Sequence, residues 1–157
     1  MFYMKITGAD QGTFKSESKR AGDKGSLCVG FKLRADAASD QRRGTVQVAP
    51  LAVTKVWGPS SPQIMTALWQ GELLKEVILE FVRQNEAGEE ATFETLSLKN
   101  ASIAYIERRV GKVEAMADGV HRELEEIGFR FESMEAKHHG ADGNTVAKYD
   151  WRHREGK

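Results

Sequence analysis

Apolar residues recur at every second position through most of this chain, and one short stretch breaks that rhythm. Alternation of period two marks strands with one buried face. In "FYMKIT" it sets Phe2, Met4 and Ile6 on one side and Tyr3, Lys5 and Thr7 on the other. In "SLCVGFKLRA" it predicts Leu27, Val29, Phe31 and Leu33 inside, with Cys28, Gly30, Lys32 and Arg34 outside. Val77, Leu79 and Phe81 form a pure apolar face over residues 72–83, opposite a mixed one of Glu76, Ile78, Glu80 and Val82. Further on, Ile127, Phe129 and Phe131 alternate with polar or small neighbours, as do Ala147, Tyr149 and Trp151. Pro50 and the phase shifts within residues 92–108 predict bulges or edges, which bend sheets towards closure.

The exception is "SPQIMTALWQG", residues 61–71. Ser61 suits an N-cap, Pro62 the first helical position and Gly71 a left-handed C-terminal cap. Ile64, Met65, Leu68 and Trp69 are expected to share one apolar face. A helix over about residues 62–70 is too short to persist alone in water, so it must pack across a sheet edge or a barrel mouth. About seven strands and one helix predict a mainly β fold. It is a compact β-barrel, or two packed antiparallel sheets, with one short flanking α-helix. The 157 residues fit one domain, 1–157, with a frayed charged tail at 153–157.

Charge narrows the partners. Lys+Arg and Asp+Glu both number 23, so the basic excess of a nucleic-acid binder is missing and none is expected as a partner. Charges interrupt every apolar run well before the about 18 residues that a spanning helix requires, so no membrane insertion is expected. The amino terminus "MFYMKITG" lacks a signal-peptide pattern, and any export is expected to proceed without a cleaved leader. With one cysteine, Cys28, no disulfide forms within the chain.

No constellation points to catalysis, a metal or a cofactor. His138 and His139 sit near Asp142 in a turn-rich loop, but adjacent residues usually point apart. His121 and His153 have no partner at ligand spacing, and Cys28 has no readable base beside it. The pairs Glu89–Glu90 and Glu125–Glu126 are expected to be solvated.

Order and spacing bring a resemblance into view. "PLAVTKVWGPSSPQIMTALWQGELLKEVILEFVRQNEAGEEATFETLSLKNASI" resembles the Hcp family, the haemolysin-coregulated proteins of bacterial type VI secretion systems. Pro50, Leu51, Thr54, Lys55, Ser61, Pro62, Leu68 and Gly71 fall in register with the family pattern. "FYMKITGADQG" is similar to its first strand and loop, and "EEIGFRFESME" with "DGNTVAKYDW" to its last two strands. The likeness spans residues 2–152; it departs at "VWGPS", where the family carries an acidic residue, and in a shorter loop at 35–44.

The resemblance implies a barrel similar to phage tail-tube proteins, assembled as a homo-hexamer. Stacked rings would form a tube, tipped by a spike protein, ejected by a contractile sheath and carrying small secreted effectors in its lumen. It would be cytoplasmic when assembled and extracellular after firing. On that reading Ile78 and Val82 are candidates for lateral contacts, and Lys32 and Arg34 for the lumen. The loops at 8–25, 35–44 and 111–119 are candidates for ring-on-ring contacts. Two rivals make different predictions. A monomeric small-ligand-binding β-barrel requires an apolar cavity, and a hydrolase built on His138 requires convergent carboxylates.

Overall fold

The computed structural model describes residues 1–17, 25–37, 45–111 and 123–151. The strands are β1 (Phe2–Gly8), β2 (Gly12–Thr13), β3 (Ser26–Lys32), β4 (Ala35–Ala37), β5 (Val46–Val48) and β6 (Leu51–Val56). After the helix α1 (Ser61–Gln70) come β7 (Leu74–Gln84), β8 (Glu90–Val110), β9 (Glu123–Gly140) and β10 (Gly143–Asp150). Following antiparallel pairs from β1 to β7, β8, β9, β6 and β3 leads back to β1, so the sheet closes on itself as a barrel. The first part of β9 pairs with β6, and the later part with β10. Register shifts at Cys28/Gly30, Phe81/Val82 and Ile103/Tyr105 supply the bends that closure requires.

Inward residues from every barrel strand fill the interior. Phe2, Met4, Leu51, Val53, Val77, Leu79, Leu98, Ile127 and Phe129 are all buried in one cluster. The cavity that the ligand-barrel reading requires is therefore occupied by side chains. The structure carries ten strands among the described residues, more than expected, because β2, β4 and β5 are too short to show periodicity. Pro50 falls between two sheets: β5 pairs with β4 outside the barrel, and β6 enters it.

Two phase expectations need correction. On β3, Leu27 and Val29 are 41% and 47% exposed, whereas Cys28 is buried. The bulge between Cys28 and Gly30 reverses the side-chain parity midway along the strand. Beyond it Leu33 packs against the core, and Phe31 reaches the rings of Phe2 and Phe81. The second half of the strand thus follows the expected phase and the first half inverts it.

The helix begins at Ser61, one residue early, and ends as expected at Gly71, which takes the left-handed conformation with φ 63°. That position favours glycine because a Cβ there is strained. The residue in the N-cap position is Ser60, which makes no side-chain capping bond. The apolar face is narrower than predicted: Ile64 and Ala67 enter the core and Leu68 packs against it, but Trp69 is 73% exposed. Trp69 is five residues after Ile64, which at about 100° per residue turns it to the outer side of the helix, away from Ile64, Ala67 and Leu68.

Candidate assembly surfaces and the closed barrel end

The helix covers one end of the barrel. Here β1 and β6 finish, and β3, β7 and β9 begin. The apolar alternation of β6 and β9 continues inward into charge. Lys55 follows Leu51 and Val53 on the inner face, Glu125 precedes Ile127 and Phe129, and both side chains are fully buried. Lys55 Nζ lies 2.7 Å from Glu125 Oε1, and it donates to the Val56 carbonyl at 3.0 Å and to Ser61 Oγ at 3.2 Å. Ser61 Oγ donates to Glu125 Oε1 at 2.6 Å and accepts the Gly58 N–H at 2.9 Å. Arg108 Nε approaches the second oxygen, Oε2, at 3.5 Å. The Arg108 guanidinium stacks 3.9 Å above the Trp57 ring, whose Nε1 donates to the Leu124 carbonyl at 3.0 Å. The expectation that Glu125 is solvated is thus overturned. A pair of adjacent glutamates on a strand puts one inside, and Lys55 lies directly across from it in the sheet.

A second buried carboxylate lies just past the helix. Glu72 is 3% exposed and accepts the N–H groups of Asp10 and Gln11 at 3.1 and 2.9 Å and the Gln11 side-chain amide at 2.9 Å. Burial works to raise its pKa, but these donors outweigh burial and hold the carboxyl below the usual glutamate range. Gln11 also donates to the Gln63 carbonyl, so the turn after β1 is tied to α1.

The opposite end is closed by aromatic rings. Phe2 and Phe81 stack with centroids 4.6 Å apart, and Phe31 stands edge-on to both, at 6.0 and 5.1 Å. Phe93 extends the cluster beneath the Arg83 guanidinium.

The outward faces differ in character. Across β1, β7, β8, β9 and β10 one row reads Lys5, Ile78, Ser97, Glu135, Lys148, and the next Thr7, Glu76, Lys99, Ser133, Asp150. This face is charged and balanced, with ion pairs Lys99–Glu76 and Lys148–Glu135. A groove of about 520 Å³ lies over it, lined by Ser97, Lys99, Ser133, Glu135, Lys148 and Tyr149 among others. The face over β3, β6 and β9 carries Leu27, Val29, Val56 and Leu124, and beside them the small residues Gly30, Ala52 and Gly128. Tyr105 lies across Gly128, where any Cβ would collide with the ring, and its hydroxyl donates to Glu126 at 2.7 Å. Burial first, and that carboxylate second, push the Tyr105 phenol up to about 12.

The residues singled out from sequence are distributed as follows. Ile78 is half-buried in the middle of the charged face. Val82 is 8% exposed within its own chain, past the bulge at Phe81/Val82, and has little surface left to offer a neighbour. Lys32 is exposed beside Ala52 on the small-residue face. Arg34 is exposed and bonded to Asp36 at 3.0 and 3.1 Å; that hydrogen bond raises the Arg34 pKa and lowers that of Asp36. Of the proposed ring-contact loops, residues 18–24, 38–44 and 112–119 lie outside the described residues, as do His121, His153 and the tail at 153–157. His138 bonds Glu94 at 2.6 Å and His139 bonds Thr95 at 3.0 Å, so the adjacent pair diverges. Among the described residues no group of three His, Cys, Asp or Glu side chains converges as metal ligands. Cys28 is buried, and desolvation pushes its thiol up to about 12, far from a nucleophile's range. Among the described residues no helix is long and apolar enough to cross a membrane. The sequence reading missed Leu27 and Val29 as surface; their alternation runs unbroken, and Gly30 inside the strand was the one local hint of a bulge.

Known proteins share this architecture. A model of the family described as "Type VI secretion system effector, Hcp" matches residues 3–138. The "Major exported protein" of Pseudomonas aeruginosa is 27% identical over 164 residues, covering 96% of this chain and 94% of its own. A crystal structure of an Hcp protein superposes with a TM-score of 0.84 at 22% identity, covering 96% of this chain and 97% of the other. The secreted protein Hcp3 from Pseudomonas aeruginosa superposes with a TM-score of 0.73 at 25% identity, covering 97% and 100%.

Proposed function

From the premise that the chain belongs to the Hcp family of type VI secretion systems, we propose that it is a tube subunit with no catalytic role. Six copies close into a ring, rings stack into a tube, and a contractile sheath drives the tube out behind a spike protein. Small effectors ride in the lumen. The observation that carries this reading is the match of the family model over residues 3–138. The name of the Pseudomonas relative, an exported protein, supports export of this chain; on this reading the tube is assembled in the cytoplasm first.

Size supports the same reading. A 157-residue domain has a radius of gyration of about 15 Å, hence an equivalent sphere roughly 39 Å across. Six touching spheres enclose a hole of one sphere diameter, and a folded domain of about 100 residues, roughly 33 Å across, passes through it. Balanced charge removes the repulsion that would oppose assembly.

Ile78 serves as a lateral contact on the charged face, with Val82 behind it inside the chain. Lys32 and Arg34 face the lumen. Described parts of the loops at 8–25 and 35–44 meet the next ring, through contacts weakened by salt. Size-exclusion chromatography with light scattering tests the assembly. The expected mass is six times that of the 17.5 kDa chain, with annular outlines in electron micrographs. A mass of one chain at every concentration would sink the proposal. Ile78→Asp is expected to shift mass towards the single chain, whereas Lys32→Glu leaves the ring intact and changes only which cargo is retained.

A further inference from the structure

We infer that the buried Lys55–Glu125–Ser61 cluster is a registry device, which fixes where α1 sits on the barrel end without adding net stability. The apolar attachment of α1 is slight. The helix has ten residues, only Ile64 and Ala67 of its apolar side chains are buried, and its N-cap residue Ser60 makes no capping bond, its hydroxyl pairing instead with that of Ser26 on β3 at 3.2 Å. Apolar contact is non-directional, so Ile64, Ala67 and the partly buried Leu68 do not by themselves fix how the helix is turned on the barrel mouth. Polar contacts supply the direction: Gln11 and Lys15 hold Gln63, Ser26 meets Ser60, and the buried cluster adds the anchor at the first helical residue. Ser61, the first helical residue, is held at once by Lys55 from β6, by Glu125 from β9 and by the Gly58 N–H.

The energetics point away from a stabilising role. Both charges are fully buried, and among the described residues Glu125 Oε2 has no hydrogen-bond partner and lies 3.5 Å from Arg108 Nε. A buried pair left partly unsatisfied gains less attraction than it loses in hydration, and apolar replacement of both members is often neutral or stabilising. What apolar residues could not reproduce is the hydrogen bond to Ser61.

The experiment compares variants of the full chain in its native oligomeric state. Lys55→Met/Glu125→Leu is expected to melt within a few degrees of the parent. Amide exchange in residues 64–70 is expected to quicken by about tenfold or more relative to the barrel strands. Glu125→Leu alone, which strands the lysine, is expected to lower the melting temperature by more than the double variant. Ser61→Ala keeps the ion pair and guards against a double variant that fails to fold; it is expected to quicken exchange in α1 alone. Exchange in α1 that matches the parent in both Ser61→Ala and the double variant would overturn the inference. So would a double variant that melts as low as Glu125→Leu, for the pair would then be a net source of stability.

Discussion

The two ends of the barrel are closed by opposite chemistries. At one, α1 covers two buried carboxylates, Glu125 held by Lys55 and Ser61, and Glu72 held by backbone N–H groups. At the other, Phe2, Phe31 and Phe81 close the opening with rings alone. An aromatic closure tolerates imperfection, because each ring loses contact in proportion to what is removed. A closure built on buried charge fails abruptly, because each deletion leaves a partner without compensation. The helix end should therefore be the more brittle to substitution and to acid, and the aromatic end the more graded.

The largest expected effect tests brittleness. Lys55→Ala leaves Glu125 buried opposite an empty site, and the loss is expected at about 3–5 kcal/mol, read from chemical denaturation. At the aromatic end Phe2→Ala, with the side chain almost fully buried, is expected to cost about 3 kcal/mol. Phe31→Ala, whose ring is 38% exposed, should cost about 1–2 kcal/mol. A Lys55→Ala cost below that of Phe31→Ala would remove the distinction between the ends.

The aromatic end was largely legible in the sequence and the helix end was not, for a physical reason. Period two assigns Phe2 and Phe81 to the inner face directly, since an apolar residue inside needs no partner to be named. The helix itself was readable from Pro62 and Gly71, because these act through local backbone geometry. Lys55 and Glu125 follow the same alternation, yet charge argues against burial unless the partner is known, and register between strands 70 residues apart is not written locally. Likewise the inversion at Leu27 and Val29 comes from one extra residue opposite β6, which a single strand's pattern does not reveal. The residues proposed for assembly carry no local signal either, because Lys32 and Arg34 read as ordinary exposed side chains and the alternation does not mark Val82 as buried within its own chain.

Acid should separate the ends further. The folded pKa of Glu72 is lowered, so its contribution is present above the ordinary glutamate value and is lost as pH falls through the folded value. Below that point the turn at Asp10 and Gln11 should loosen from α1 while the aromatic end keeps its protection, as followed by amide exchange of the two regions. Glu72→Gln is expected to cost about 1–2 kcal/mol at neutral pH and to abolish this part of the acid dependence. Equal loosening of both ends on acidification would show that Glu72 does not set the order.

The smallest effect concerns the rim, where the two chemistries meet. Arg108 stacks on Trp57 and points Nε at Glu125, so it joins a flat aromatic contact to the buried charge. Arg108→Lys keeps the charge but loses the planar face, and the cost is expected at about 0.5–1 kcal/mol. Because the side chain is partly exposed, water replaces most of what the stack loses. Trp57 fluorescence should still change as the guanidinium leaves the ring. A cost near that of Lys55→Ala would mean that Arg108, not Lys55, neutralises Glu125, and the closure would then depend on its outer rim.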